Sequence, residues 1–280
     1  MKKLRKWLPP LLMLAGGLLW FGNCTVGSTT IRVKSAALPA AFSGLRISVV
    51  ADLHGSCFGK GHSMLLDTVR KQKPDLIALC GDLADEQTET ESLRPLLTGL
   101  TEIAPTFFVT GNHEWVMPRA DRQQLFALLE ETGVRRLENE WQLVEKDGEA
   151  IVLAGVDDPN GPAEQISPAQ LAAQIRAACG EQMYLLMLAH RNDQLDLWAE
   201  LGIDLVLCGH AHGGVVRLPF VGGVFGTHYE LFPEYTAGLY EKGGTAMVLS
   251  RGLGGSRRLP LRIGNRPEVV LVELEAEKAS

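Results

Sequence analysis

Six times this chain runs through a short apolar stretch and stops at a polar cluster of one kind. "RISVVADLH" ends at Asp52 and His54. "DLIALCGDLAD" ends at Asp82 and Asp85, and "TFFVTGNHE" at Asn112 and His113. "AIVLAGVDD" ends at Asp157 and Asp158, "YLLMLAH" at His190, and "IDLVLCGHAH" at His210 and His212. Each apolar stretch reads as a buried strand. Helical patterns lie between them, near Ser63–Gln72, Ser92–Leu100, Arg119–Glu131, Pro168–Ala178 and Asp193–Glu200. Strands alternating with helices predict an α/β layered domain. The last third adds "TAMVLS" and "PEVVLVEL" with glycine loops between, which predicts a second sheet.

The clusters share a direction, since each follows its strand on the C-terminal side. Ligands of α/β sheets bind in the crevice outside the carboxyl ends of the strands. Residues far apart in sequence can therefore converge: Asp52, His54, Asp82, Asn112, His190, His210 and His212. Carboxylate, imidazole and carboxamide donors suit borderline divalent ions such as zinc, manganese and iron. Seven donors exceed one tetrahedral site and suffice for two ions with a shared carboxylate. Two ions ~3.5–4 Å apart can clamp an in-line displacement at phosphorus and make a hydroxide nucleophile from bound water.

These blocks carry a resemblance. "DLH", "GDLAD", "GNHE", the isolated "AH" at Ala189–His190 and "GHAH" stand in the order found in the calcineurin-like metallophosphoesterase superfamily. That superfamily includes the serine/threonine protein phosphatases and the purple acid phosphatases. The resemblance runs from about Leu45 to Leu274, and its tail resembles the membrane-anchored or exported bacterial phosphodiesterases. It implies a four-layer α/β/β/α sandwich. It implies that Asp52, His54 and His212 hold one divalent ion, that Asn112, His190 and His210 hold the other, and that Asp82 bridges them. His113 would bind no metal. It would meet the substrate as phosphate ligand or general acid, oriented by Asp85.

Arg191, directly after His190, is a candidate substrate-phosphate ligand. Asp157 and Asp158, before Pro159-Asn160-Gly161, read as a turn; His62 and His228 read as surface or loop residues and Trp115 as a packing residue. For Glu114, orientation of the site and simple surface charge stand even. Cys80 and Cys208 each end an apolar run and read as small buried hydrophobes. The five cysteines fit no zinc or disulfide framework. A formal net charge of −6 argues against a nucleic-acid partner.

The first thirty residues differ from the rest. Lys2, Lys3, Arg5 and Lys6 precede an uncharged stretch from Trp7 to Ile31. An uncleaved signal anchor over residues 1–30 fits this better than a cleaved signal peptide, since no A-x-A site follows. The basic flank would stay cytoplasmic and place the catalytic domain, residues 31–280, outside a single-pass membrane attachment. The expected function is a phosphohydrolase in which a metal-bridging hydroxide attacks a diester or pyrophosphate-type linkage, lipid- or cell-wall-linked. A lipid-linked UDP-sugar hydrolase and a non-catalytic binding scaffold are the rival readings. The scaffold fits poorly, because no ligand position is lost.

Overall fold

A computed structural model describes Met13 and residues 16–17, 19–226, 230–255 and 262–277. The strands are β1 (Gly27–Ser35), β2 (Arg46–Val50), β3 (Leu76–Cys80), β4 (Thr106–Val109), β5 (Arg135–Arg136), β6 (Glu140–Lys146) and β7 (Glu149–Gly155). They continue with β8 (Leu185–Leu188), β9 (Leu205–Cys208), β10 (Val216–Leu218), β11 (Gly222–Phe225), β12 (Gly238–Lys242), β13 (Thr245–Leu249) and β14 (Glu268–Ala276). The helices are α1 (Ser63–Gln72), α2 (Arg94–Thr101), α3 (Asn112–Val116), α4 (Arg119–Glu131), α5 (Pro168–Cys179) and α6 (Leu195–Glu200).

Two six-stranded sheets face each other. One has the order β1-β14-β2-β3-β4-β5 and the other β12-β13-β9-β8-β7-β6. The runs β2-β3-β4 and β7-β8-β9-β13 are parallel. Their strands are largely apolar because both faces are covered. Ile47, Val49, Ala78, Leu153, Leu186 and Leu207 meet between the sheets. Outside the first sheet, Leu65, Val69, Leu96 and Leu125 of the helices cover Val50, Ile77 and Leu79. Outside the second, Leu171, Ile175 and Trp198 cover Val152, Met187 and Val206. The layering is therefore helix, sheet, sheet, helix.

A second sheet is present, but only one of the two late strands expected in it belongs there. β13 ("TAMVLS") pairs with β9, whereas β14 ("PEVVLVEL") lies between β1 and β2 in the first sheet, and the rest of the second sheet comes from the middle of the chain. β6 pairs with β7 through seven residues and carries Glu140, Glu145 and Lys146, so no apolar run announced it. β1 departs from the expected boundary. Residues 27–30, assigned by sequence to an anchor, are the first half of a strand paired in parallel with β14 from Gly27↔Glu268 onward. Alternating exposure along β1 marks it as an edge strand. Among the described residues no helix is long and apolar enough to cross a membrane. Most of the apolar segment ahead of residue 16 lies outside the described residues, as does His228.

Candidate metal centre

The parallel strands deliver their loops to one edge. Asp52 follows β2, Asp82 follows β3, and Asn112 opens α3 after β4. His190 follows β8, and His210 and His212 follow β9. The two sheets are locked together there, with His190 Nδ1 2.8 Å from Cys80 O, the last residue of β3. Cys80 and Cys208 are fully buried beneath the site, as small hydrophobes.

Five of the seven predicted donors have left-handed backbone: Asp52 (φ 50°), His54 (47°), Asp82 (52°), His210 (73°) and His212 (49°). Non-glycine residues there cost of order 1 kcal/mol or more each, and such strain gathers at functional sites. Here it turns the side chains inward from the strand ends.

All seven converge. Asp52, His54, Asp82 and His212 each offer one atom within 4.8 Å of the others, and Asp82, His190 and His210 do the same. Asp82 belongs to both groups. Its Oδ2 lies 3.6 Å from His54 Nε2 and 3.2 Å from His190 Nε2. His54 and His212 bring their Nε2 atoms to 3.2 Å, and Asn112 Oδ1 is 3.1 Å from His190 Nε2. Carbonyls accept only, so the contacts of His190 Nδ1 with Cys80 O and of His212 Nδ1 with Gly254 O (3.3 Å) put the proton on Nδ1 and leave Nε2 facing the cluster.

Electrostatics agree with a site built for cations. Burial pushes His54 down to about 4. Burial, with His54 and Arg262 beside it, holds His212 well below its ordinary value. Both are neutral donors at neutral pH. Burial also pushes Asp52 up to about 7, against the pull of His190. Burial presses Asp82 upward too, but His190 and His54 overrule it and hold the carboxylate well below its usual range. Without cations, burial works against a charge on His190, but the Asp82 carboxylate overrules it and raises His190 to about 10, so a proton holds the place between carboxylate and imidazole that a cation would take. Two divalent cations fit that donor set.

Glu114, left even by the sequence, is fully buried beneath the site. Oε2 accepts the amides of Gly111 (2.7 Å) and Asp82 (2.9 Å), and Oε1 those of Leu83 (2.7 Å) and Ala84 (3.1 Å). It ties the "GDLAD" loop to "GNHE". The signal was present in sequence only as a carboxylate three residues after Gly111, a capping-box spacing.

His113 sits over the cluster edge-on to His54, with centroids 4.7 Å apart. Its amide donates to Asp82 Oδ1 at 2.8 Å. Its Nδ1 is buried with no hydrogen-bond partner among the described residues. The expected orientation by Asp85 is thus not seen. Asp85 Oδ1 instead accepts from the Gln87 amide (3.0 Å) and the Thr88 hydroxyl (2.9 Å), closing its own turn.

Arg191 reaches the site, but in a clamp. Asp158 accepts its Nε at 2.6 Å and its Nη2 at 3.0 Å, while Nη1 lies 3.1 Å from His210 Nε2. Asp158 is buried, so its reading as a turn residue is incomplete: it starts the turn at Asn160 and also aims Arg191. Asp157 accepts the Thr110 hydroxyl at 2.6 Å. His62 is buried rather than exposed. Trp115 packs against Phe126 and under the Arg122 guanidinium. A cavity of about 310 Å³ opens beside His190 and Arg191, walled by Pro162, Ile166 and Leu197.

Sequence misses a further group entirely. Arg262 and Asn265 are buried and hold the His212 loop by its carbonyls. Asn265 Nδ2 donates to His212 O (2.7 Å) and Gly214 O (2.5 Å). Arg262 donates from Nε to Gly254 O (2.9 Å), the carbonyl that also orients His212.

Residues 45–214 match the calcineurin-like phosphoesterase family. Phosphodiesterase YaeI of Escherichia coli is 32% identical over 249 residues, covering 87% of either chain. The uncharacterized metallophosphoesterase YkuE of Bacillus subtilis is 27% identical over 90% of this chain and 86% of its own. Among solved structures, TT1561 of Thermus thermophilus aligns at 16% identity with a TM-score of 0.49, covering 75% of this chain and 91% of that one. The family match takes in all seven donors, and the Escherichia coli relative extends the likeness over 87% of the chain; the chain belongs to the calcineurin-like phosphoesterases.

Proposed function

We propose that the chain is a dinuclear metal-dependent phosphohydrolase acting on phosphodiester or pyrophosphate-type linkages. One observation carries this: Asp82 stands in both donor groups, so one carboxylate can serve two cations. Manganese, zinc and iron suit the mixed oxygen and nitrogen donors. Bound there, two such ions supply a nucleophile from water at neutral pH and neutralise charge on the phosphoryl oxygens.

The chain's own groups do the rest. Asp82, Asp52 and the histidines fix the cation positions from strained, buried loops. His113 overhangs the cluster with an imidazole free to bind a phosphoryl oxygen or give a proton to the leaving oxygen. Arg191, aimed by Asp158, offers a guanidinium at the rim for a second phosphate oxygen. The cavity beside it takes one arm of the substrate. The name of the Escherichia coli relative supports a diester.

The test is a metal-defined preparation assayed against diesters, pyrophosphates and monoesters. Two ions per chain with diester turnover is the expected result. One ion per chain at saturation would sink the dinuclear reading.

Membrane attachment through the N-terminal segment, with the domain outside the cytoplasm, is part of the proposal. It is supported by the Lys2–Lys6 flank ahead of the uncharged stretch. Protease added to intact spheroplasts should digest the domain. Protection would overturn it.

A further inference from the structure

The loop that follows His212 carries an apolar surface that the catalytic chemistry does not use. β10 and β11 form a hairpin starting four residues after His212. Phe220 at its tip is fully exposed. Val221, Phe232, Ile263, Trp20 and Phe21 are each about half exposed or more. Single exposed apolar residues are ordinary, but a continuous group marks an interaction surface.

Backbone bonds bring the segments that carry these residues side by side. The Arg217 amide donates to Ile263 O at 2.9 Å, and the Phe232 amide to Val224 O at 2.9 Å. Ile263 adjoins Arg262, whose backbone Asn23 holds from both sides: Asn23 Oδ1 accepts the Arg262 amide (2.7 Å) and Nδ2 donates to Arg262 O (3.1 Å). The Arg266 guanidinium lies 4.4 Å from the centre of the Phe21 ring. The surface thus runs from Phe21 through Ile263 to the hairpin tip.

Its charge pattern points to one occupant. Arg217 is the only charged residue from Val216 to Phe225, and it is turned back onto Gly213 O (2.6 Å) and Thr236. The tip carries no charge at all, unlike an exposed hairpin that must stay solvated. The chain ahead of Trp20 adds the rest. It is an uncharged, largely apolar sequence with Lys2, Lys3, Arg5 and Lys6 beyond it, and it joins the domain within this surface. β1 begins at the metal-centre edge, since Gly27 pairs with Glu268 and the Glu268 amide donates to Gly252 O, next to Asp52. An apolar segment with aromatic residues at its junction, leading straight out of this surface, suits the interface of a bilayer. A protein partner would leave uncovered the apolar segment that leaves this surface at Trp20.

We propose that the β10–β11 hairpin, with Ile263 and the Trp20–Phe21 pair, rests on a bilayer surface. The metal centre then faces phosphoester groups presented by lipid amphiphiles at that surface. The substrate class rests on the phosphohydrolase reading above; the docking does not.

Two readouts test it on the full-length chain bound to vesicles of phosphatidylcholine and phosphatidylglycerol. The first is Phe220→Trp with brominated acyl chains. Quenching of the added tryptophan fluorescence is expected, and its absence overturns the docking even if the N-terminal segment alone holds the vesicle. The second is a Phe220→Asp, Phe232→Asp double variant, assayed on a lipid phosphodiester in the vesicles and on soluble bis(4-nitrophenyl) phosphate. The vesicle rate should fall about tenfold or more, as expected for losing two interfacial aromatics, with the soluble rate unchanged. Equal vesicle rates overturn the inference. So does a wild-type dimer that the double variant converts to monomer, because the surface would then be covered by a second copy. No wild-type turnover on either substrate would instead defeat the phosphohydrolase reading, and quenching would still decide the docking.

Discussion

Glu114 holds Asp82 by its backbone: the buried carboxylate accepts the Asp82 amide at 2.9 Å, and Asp82 in turn accepts the His113 amide at 2.8 Å. The residue shared by both donor groups is thus fixed at main chain and side chain by two neighbours in one helical turn. Such outer partners fix ligand geometry as firmly as the ligands themselves. Burial and the nearby Asp82 charge push Glu114 up to about 7, against the four amides that favour its ionised form. Cations bound at Asp82 would relieve that opposition.

Glu114→Gln should therefore cost both stability and metal. A carboxamide has one acceptor oxygen, so two of the four buried amides lose their partner. Each costs roughly 1–3 kcal/mol. Metal affinity should drop about 10–100-fold, as for other changes behind the ligands. Denaturant unfolding of the metal-free chain and a manganese titration measure the two separately. Unchanged values in both would mean the amides find other acceptors.

Gly111→Ala should remove both ions. A Cβ at Gly111 would collide with Asp82 Oδ1 and press on the Asp82 amide. Gly209→Ala is the comparison. Its Cβ would come within 2.7 Å of Asp52 Oδ2, so it should damage the Asp52 group first. Elemental analysis at saturation should give near zero for the first variant and a value closer to one for the second.

Arg262→Ala should weaken cation binding at the group of Asp52, His54, Asp82 and His212 about tenfold and spare the group of Asp82, His190 and His210. Arg262 and His212 share Gly254 O, so losing the guanidinium frees the carbonyl that sets the imidazole. Arg262→Lys should restore part of the affinity, since a lysine keeps the charge but not the fork. Two-phase titration by manganese electron paramagnetic resonance separates the sites. Equal loss at both would make Arg262 a general stabiliser of the fold.

These three predictions also show what the sequence could and could not disclose. The donors were legible because each sits just after a buried parallel strand, where an apolar run ends abruptly. The helices were legible from their periodicity, and α1 and α4 fall where the pattern placed them. β6 was not, because an edge strand alternates charged and apolar residues as a loop can. Arg262 and Asn265 follow no strand and act on carbonyls, which have no sequence signature. Asp158 looked like a turn because it is one; only the fold brings Arg191 to it.

His113 supplies the last prediction. It stands beside Asn112, yet its imidazole packs edge-on to His54 and keeps Nδ1 unpartnered among the described residues. Its side chain is thus not needed to hold the donors, and its backbone amide, which does bond Asp82, survives substitution. His113→Ala should retain both ions and lose activity. General acid catalysis contributes typically about 10²–10⁴-fold, and it matters most when the leaving group is poor. An alkoxide leaves badly without a proton, whereas a nitrophenolate needs none. If His113 donates a proton, the loss should be far larger on an alkyl phosphodiester than on a nitrophenyl one. If it only binds the phosphoryl oxygens, the two losses should match. Full activity on both substrates would remove His113 from the mechanism, and loss of an ion in the variant would make it part of the metal-binding shell.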